Sequence, residues 1–474
     1  MCKDCSISPA GGDLTGVYHL RVAFDEANVS STALRLEAVD DGYSGLLFSR
    51  PAQAVEVTKD SVAVDISADN VQGLNGHRAL TLTSIDSNGK VGGTYESCNA
   101  KECFTATVIG QKVDPLVEPE ADGVRLISEY GGPPSGEWLD GTFELTLNVR
   151  VKDGMAYLAR ARDGLRIIDL ANPARPVERG HLAVLGASDG EYFNDVKMAT
   201  GPTGTTYALL ASNRRGIVVV EVSDPDAPRE VTSFPSAEDA PGGVPSTHTL
   251  FIEGSRAYVA YTFDASLRIY DIADPAKPVP LGLYRSPRLD VEGGYLHDLY
   301  VADGRVYLDY WNLGLVIVDT QDNPADPVLV GTYDDYGQNT SHSNWVTQAG
   351  GRLVSVHGDE EYGAHVRIID VDDSKPTFLS TLASYQTREA VSVHNILCHG
   401  DRAYVTYYQD GLRILDIADP TRPKLVGHFH TWPGFGPDTG FGFFEGAIGV
   451  DVDPATGTIY LADTHRGLLV LATE

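Results

Sequence analysis

The chain has 474 residues, which is long enough for two or three domains, and 42% of them are hydrophobic. Its 36 basic and 66 acidic side chains give a formal net charge of −30 at pH 7. This charge argues against nucleic acid and anionic membrane surfaces as partners, because both are themselves negatively charged.

The first segment, residues 1–11, is predicted to be a flexible tail or an anchor. It begins MCKDCS, continues into Pro and Gly, and contains neither an apolar signal segment nor a membrane span. In one interpretation it is the start of a mature lipoprotein whose lipid is carried by Cys2, with Met1 added for expression. In the other it is a tail in which Cys2 and Cys5 pair. Membrane contact is expected only through such a lipid.

Residues 12–115 are predicted to form a small antiparallel β barrel or sandwich. Short runs rich in Val, Leu, Ile, Thr and Tyr follow one another, as in GVYHLRVAF, ALRLEAV, SVAVDIS and ALTLTSI. In SVAVDIS, Val62, Val64 and Ile66 alternate with Ala63 and Asp65, which is the pattern of a half-buried strand.

The cysteines of this region indicate an oxidising compartment. Cys98 and Cys103 flank the turn of SCNAKEC, a spacing that suits a disulfide closing a hairpin; two free thiols on a cytosolic loop are the alternative. Cys398 lies within a predicted strand and is expected to be a buried free thiol. We therefore expect an exported protein, located in the periplasm, on the cell surface or in the medium.

The rest of the chain repeats one phrase with a period of about 50 residues. An aliphatic run, an acid and a Pro-bearing turn recur six times, and GLLVLATE from Gly467 repeats the beginning of the phrase at the end of the chain. The six copies are GLRIIDLANPARP from Gly164, GIVVVEVSDPDAP from Gly216, SLRIYDIADPAKP from Ser266, GLVIVDTQDNPADP from Gly314, HVRIIDVDDSKP from His365 and GLRILDIADPTRP from Gly411. Such a period, built only from short strands, is the signature of propeller blades.

Each repeat divides into four strands, which we call A to D from the axis outward. The seventh repeat ends before its D strand, and GVRLISEY at residues 123–130 resembles the D strands of other repeats. The sequence therefore predicts an all-β protein with a seven-bladed β-propeller at residues 116–474, closed by residues 123–130, behind the small N-terminal antiparallel β domain.

The repeated phrase resembles the LVIVD repeat family of bacterial surface propellers, and LVIVD itself stands at Leu315–Asp319. The resemblance covers roughly residues 123–474. It implies a propeller fold and an extracellular location, but no particular activity, because a fold does not determine one.

Strand order places the D-to-A and B-to-C connections on one face of the ring, the upper face, and these connections include the long and unusual segments. Four consecutive blades carry a histidine where strand A enters the central channel: His248, His297, His342 and His394. Three of them lie ten positions before an aromatic residue of strand B, and Asn194 takes this place in the second blade. Equivalent positions in a ring point at a common axis, so the imidazoles are expected to converge.

Two interpretations of these histidines remain open. They are metal ligands, for which Zn, Cu, Fe or Mn would suit the imidazoles, or they are blade consensus residues that tie down the D-to-A loops. The arrangement is similar to that of propeller oxygenases that hold iron on four histidines, although the rest of that family's sequence is not evident. Because the surface is acidic, calcium is a further candidate cofactor.

The B-to-C loops add polar and aromatic groups to the same face. The candidate ligand-binding residues are Arg214, Arg215, Tyr310, Trp311, Tyr407, Tyr408 and His465, and the same loops carry His357, Asp359, Glu360 and Arg466. Such groups suit an anionic or aromatic ligand or a sugar. The acids of the repeated phrase recur in register, so they are interpreted as blade architecture: Asp169, Glu221, Asp271, Asp319, Asp370 and Asp416.

Two functions follow as hypotheses. The first is an exported recognition protein that binds a small molecule, glycan or protein on its upper face at the mouth of the channel. The second is an enzyme that uses the same mouth, with histidines as metal ligands or as general acid and base. The sequence contains no phosphate loop, HExxH or paired CxxC motif that would support a nucleotide enzyme or a zincin.

Overall fold

The structure is a computed structural model that describes residues 13–25, 28–68, 76–99, 101–131, 145–186, 190–335 and 340–474. The predicted tail or anchor, with Cys2 and Cys5, lies outside these residues. Within the described part of the chain, no helix is long and apolar enough to cross a membrane.

The front domain is a single antiparallel sheet, which we call the front sheet. Nine strands form it among the described residues, in the order β4-β3-β2-β1-β9-β8-β7-β6-β5. They are β1 (Gly16–Ala23), β2 (Val29–Val39), β3 (Gly42–Leu47), β4 (Arg50–Pro51), β5 (Ala54–Val57), β6 (Val62–Ala68), β7 (Gly76–Ile85), β8 (Lys90–Cys98) and β9 (Cys103–Val113).

The front sheet curls around its own hydrophobic core. Val62, Val64 and Ile66 of β6 share one cluster with Tyr18 and Leu20 of β1, although three strands separate β6 from β1 in the sheet. Only a strongly curved sheet brings its two halves into contact on one face, as the natural twist of strands allows.

The predicted disulfide is present at one end of the front sheet. Cys98 and Cys103 are opposite each other in the β8–β9 hairpin and are joined through sulfur, with their Cα atoms 3.9 Å apart. Cys398 is a buried free thiol in the propeller.

The repeats form a seven-bladed propeller in the described part of the chain. Blades 1 to 6 each contain four antiparallel strands, and neighbouring A strands line the channel. The first three blades are β12 (Asn148–Lys152), β13 (Met155–Arg160), β14 (Gly164–Asp169) and β15 (Val177–Leu182); β16 (Phe193–Thr200), β17 (Thr206–Ser212), β18 (Gly216–Glu221) and β19 (Arg229–Phe234); and β20 (Thr247–Glu253), β21 (Arg256–Tyr261), β22 (Ser266–Asp271) and β23 (Val279–Tyr284).

The remaining blades continue the ring, with a 3-10 helix (Pro241–Gly243) before blade 3 and a short helix α1 (Leu289–Glu292) before blade 4. Their strands are β24 (Asp298–Ala302), β25 (Arg305–Tyr310), β26 (Gly314–Asp319) and β27 (Val328–Tyr333); β28 (Ser341–Ala349), β29 (Arg352–Asp359), β30 (Val366–Asp370) and β31 (Thr381–Tyr385); β32 (Ile396–His399), β33 (Arg402–Tyr407), β34 (Gly411–Asp416) and β35 (Lys424–Phe429); and β36 (Ala447–Asp453), β37 (Thr458–Asp463) and β38 (Gly467–Thr473).

The last blade takes its outer strand from the segment that precedes the propeller. β11 (Val124–Tyr130) pairs antiparallel with β38, and β10 (Ala121–Asp122) adds a short fifth strand to blade 6 beside β35. The A strand of blade 7, β36, lies next to that of blade 1, β12. The first and last parts of the propeller segment therefore close the ring together.

The acids of the repeated phrase organise the C-to-D turns. In blade 1, Asp169 accepts a hydrogen bond from the backbone N–H of Ala171 at 2.8 Å. In the same way, Asp271 accepts from the N–H of Ala273 and Asp319 from that of Gln321. A carboxylate that bonds to its own backbone in this way initiates a turn, so these acids belong to blade architecture.

The front sheet packs on the upper face of the propeller. Val17 and Ala33 share a hydrophobic cluster with Tyr408, Trp432 and Phe443, which belong to connections of blades 6 and 7. The sequence left open whether the front domain covers this face. The structure places it there, beside the mouth of the channel.

Candidate metal centre at the channel mouth

A β-bulge at the entry of strand A turns side chains toward the channel. The register shifts between Ser341 and Ser343 in blade 5 and between Thr247 and Leu250 in blade 3, so that His342 and His248 fall at the bulges. Blades 2 and 7 are bulged at the same place. In blades 4 and 6, His297 directly precedes β24 and His394 lies two residues before β32. Since a bulge re-aims a side chain, it explains the direction of His248 and His342, whereas His297 and His394 reach the same place from the residues just before their strands.

The four predicted histidines form a continuous row. The ring centroids of His248 and His297 are 4.0 Å apart, those of His297 and His342 are 4.0 Å apart, and those of His342 and His394 are 4.4 Å apart. The structure therefore brings together all four residues that the sequence singled out as metal candidates.

Two members of the row are tied to the neighbouring blade. His297 Nδ1 lies 3.2 Å from the carbonyl oxygen of His342, and His394 Nδ1 lies 2.7 Å from that of Ile448. A carbonyl only accepts, so each Nδ1 carries the hydrogen and each Nε2 keeps its lone pair. These contacts hold blades together. They also fix the tautomer, as a carbonyl bonded to the non-coordinating nitrogen does in metal-binding histidines.

His342 differs from its neighbours because its imidazole is buried without hydrogen-bond partners. Its side chain is 1% exposed, and neither ring nitrogen makes a hydrogen bond to a described residue. The nearest acid is Glu360, whose Oε2 lies 3.5 Å from His342 Nε2 and whose Oε1 lies 4.0 Å from His394 Nε2. Tyr408 donates its hydroxyl hydrogen to Oε1 of the same carboxylate. A buried polar ring without partners is costly, and a bound cation would satisfy it.

Burial keeps the imidazoles neutral. It lowers the pKa of His248 to about 4 and that of His394 to about 3, and it also lowers the pKa values of His297 and His342 well below the ordinary range. Burial raises the pKa of Glu360 to about 8, against the opposing effect of the Tyr408 hydrogen bond. Neutral imidazole is the form that binds a metal.

Three of these groups have the spacing of a metal site. One donor atom each from His297, His342 and Glu360 lies within 4.8 Å of the other two, and all three residues are buried. Two ligands about 2.1 Å from a tetrahedral ion are about 3.4 Å apart, close to the separation between His342 Nε2 and Glu360 Oε2. Two imidazoles and one carboxylate suit a transition metal and do not suit calcium, which takes oxygen ligands.

The candidate ligand-binding residues separate into three groups. Trp311 and Tyr408 flank the histidines, with ring centroids 5.3 Å from His297 and 5.0 Å from His394, respectively. Tyr310 and Tyr407 are instead fully buried in the hydrophobic core between blades. This follows from strand alternation, since each is the last residue of its B strand and points away from the neighbour that follows it.

The remaining candidates lie apart from the row or are held by other side chains. Arg215 pairs with Glu191 and Glu230, at 2.7 Å in each case, while Arg214 is exposed beside it. His465 Nδ1 lies 2.9 Å from the hydroxyl oxygen of Thr464. Among the candidates, only Trp311 and Tyr408 therefore have rings in contact with the row.

Glu360 is the principal site residue that sequence reasoning did not assign to the metal group. A signal for it exists, because Glu360 directly follows strand B of blade 5, as Trp311 and Tyr408 directly follow strand B of blades 4 and 6. Aligning the blades by the end of strand B, instead of by the start of strand A, places these three residues above the histidines.

Below the histidines, the channel holds a cavity of about 100 Å³. On one side Asp195 accepts a hydrogen bond from Thr249 at 2.7 Å and pairs with Lys197. On the other side are aromatic side chains, with the rings of Tyr300 and Trp345 4.7 Å apart. Because Asp195 and Lys197 already pair with each other, neither resembles the unpartnered imidazole of His342 at the mouth.

A second group with metal-like spacing has a different role. Glu118, His428 and His430 approach one another, but Glu118 also accepts a hydrogen bond from Arg413 at 2.7 Å, and His428 contacts the carbonyl of Pro119. The positive charge of Arg413 beside this carboxylate opposes the binding of a metal cation there. This group therefore fastens the segment before the propeller to blade 6.

One buried histidine of the front sheet makes the stability of the protein depend on pH. Burial lowers the pKa of His19 to about 3 from an ordinary value of 6.5, despite its contact with the Ala390 carbonyl. The unfolded chain takes up this proton first as the pH falls, so the stabilisation is complete above pH 6.5 and is lost below it. Between pH 6.5 and pH 5 we expect His19 to account for a loss of about 2 kcal/mol. Urea unfolding at both pH values checks this, and His19→Phe should show a correspondingly weaker pH dependence.

The comparisons with known proteins agree with the fold. The model of the LVIVD repeat matches residues 146–184, 205–235, 246–286, 288–335 and 392–431. The WD40 β-propeller domain of Doa1 is similar in structure, with a TM-score of 0.50 and 10% identity over 74% of this chain and 98% of that chain. Sqt1 of Saccharomyces cerevisiae has a TM-score of 0.49 and 8% identity over 70% of this chain and 96% of that chain. No curated protein sequence matches the chain.

The fold therefore defines a β-propeller, a class of scaffold that binds ligands or protein partners on its faces. Within this class, LVIVD repeats are detected in this chain at the five places given above, all of them in the propeller. Similarity to the solved structures extends to the fold alone, so the activity has to be argued from the site.

Proposed function

We propose that this protein binds one divalent transition-metal ion at the upper mouth of its channel, through Nε2 of His297, Nε2 of His342 and the carboxylate of Glu360. The observation that carries the proposal is the buried, unpartnered imidazole of His342 beside the buried carboxylate of Glu360. A buried imidazole without a hydrogen-bond partner is costly, and a cation would accept its lone pair together with one from the Glu360 carboxylate, which otherwise accepts a hydrogen bond from Tyr408.

The ion would also account for recognition at the same mouth. Three protein ligands leave at least one coordination position for an external group, as in metal sites that bind substrate or water. Trp311 and Tyr408 lie beside the row and offer aromatic surfaces to such a ligand. The metal supplies Lewis acidity, while the side chains around it orient what binds.

We also propose that the protein works in an oxidising compartment outside the cytoplasm. The disulfide between Cys98 and Cys103 supports this location, because such bonds persist where thiols are not kept reduced.

The metal is tested on protein purified without a histidine tag. We expect about one transition-metal ion per chain by elemental analysis, and saturable binding of Co²⁺ to protein stripped with a chelator. His399→Ala is the matched control, because His399 is an exposed histidine at the end of β32 and should leave the stoichiometry unchanged. Absence of both a resident metal and saturable Co²⁺ binding in the parent protein would contradict the proposal.

A further inference from the structure

The front sheet touches the two chain segments that supply the carboxylate side of the metal centre. Glu360 and Tyr408 are joined by a hydrogen bond between the Tyr408 hydroxyl and Glu360 Oε1. They come from different blades, 5 and 6, so their mutual position depends on what holds each loop. In each loop, a residue one or two positions after Glu360 or Tyr408 contacts the front sheet.

Ser31 of β2 holds the segment after Glu360. The backbone N–H of Tyr362 donates to Ser31 Oγ at 2.7 Å, and the N–H of Glu361 donates to Ser392 Oγ at 3.1 Å. Between these two bonds, Glu361 has a φ of 125°, a conformation that costs free energy in a residue with a side chain. A backbone of this kind persists only where its surroundings hold it.

His19 of β1 holds the segment after Tyr408. Its Nδ1 donates to the carbonyl of Ala390 at 2.6 Å, which leaves Nε2 to accept from Gln409 Nε2 at 3.4 Å. Gln409 is buried and donates to the carbonyl of Phe443 at 3.0 Å, while the imidazole of His19 packs on the Phe443 ring with centroids 4.6 Å apart. This contact lies one residue beyond the tyrosine that bonds Glu360.

We propose that the front sheet completes the metal centre, with Ser31 and His19 as positioning residues that hold Glu360 and Tyr408 over the histidine row. This inference rests on the proposed metal-binding function. The propeller alone supplies the imidazoles, and the front sheet fixes the one carboxylate ligand and its hydrogen-bond donor. The front domain is then part of the site and not a spacer between the ring and an anchor.

The chain offers a matched pair of variants for the test. Ser31→Ala removes the acceptor of the Tyr362 N–H, whereas Ser30→Ala makes the same change one residue earlier, at an exposed position on β2. Ser31→Thr keeps a hydroxyl and serves as the rescue. All three are measured in the full-length protein by Co²⁺ titration, by the visible d–d spectrum of the bound ion, and by thermal melting.

We expect Ser31→Ala to bind Co²⁺ about tenfold more weakly with an altered d–d spectrum, which is the usual effect of losing a partner outside the ligand shell. Ser30→Ala and Ser31→Thr should match the parent. His19→Phe, which keeps a ring against Phe443, should weaken binding in the same direction. A Ser31→Ala variant with the affinity and spectrum of the parent would overturn the inference while leaving the metal site intact. A parent that binds no Co²⁺ would overturn both.

Discussion

Replacing His342 with alanine is expected to weaken Co²⁺ binding by at least about 100-fold, because the variant loses one of only three protein ligands. The free energy of unfolding should lose no contribution from hydrogen bonds, since the ring nitrogens of His342 make none to a described residue. Titration of the chelator-treated protein and urea unfolding measure the two effects separately.

His394→Ala should behave in the opposite way. Its Nδ1 donates to the carbonyl of Ile448 at 2.7 Å, while its Nε2 is 4.0 Å from Glu360, so it ties two blades together without belonging to the three-ligand group. We expect this variant to lose about 1 kcal/mol of stability and to keep its metal. Equal destabilisation by both substitutions, in a parent without metal, would mean that the row is blade architecture.

Removing the closing strand is expected to have the largest effect on the fold. A chain that begins at residue 116 retains β11, whereas a chain that begins at residue 136 leaves β38 with an unpaired edge. Burial of Val124 alone contributes about 2 kcal/mol, and an open edge invites pairing with other chains. We expect the shorter protein to melt at a lower temperature and to associate in solution.

The chain that begins at residue 116 is the control for that experiment. It also lacks the front sheet, so any difference between the two truncations belongs to residues 116–135. Thermal melting and light scattering on both proteins are sufficient. Two truncated chains that melt alike and remain monomeric would show that β11 does not close the ring.

The propeller could be predicted because its sequence consists of repeats. The aliphatic phrase recurs often enough for strand order, blade number and the missing D strand to follow from spacing alone. The front sheet has no such repeat. Its alternating strands predicted antiparallel pairing, but the curvature that joins β1 and β6 in one core is a long-range property that local patterns do not encode.

Of the three proposed metal ligands, the sequence singled out the two histidines but not the carboxylate. Three histidines shared a ten-residue spacing to an aromatic residue of strand B, but His342 did not, because strand B of blade 5, RLVSVHGD, has no Tyr, Phe or Trp. Glu360 stood among several loop acids, and only the folded ring shows which acid reaches the imidazoles. Tyr310 and Trp311 are adjacent in sequence but differ in placement, since successive residues of a strand point to opposite faces.

The most direct test of the metal centre is an anomalous difference map from crystals of the untagged protein, recorded at the absorption edge of the metal it contains or of added Co²⁺. The structure predicts one strong peak about 2.0 to 2.2 Å from Nε2 of His297, Nε2 of His342 and an oxygen of Glu360. A peak at Glu118, His428 and His430 with none at the channel mouth, or no peak at all, would contradict it.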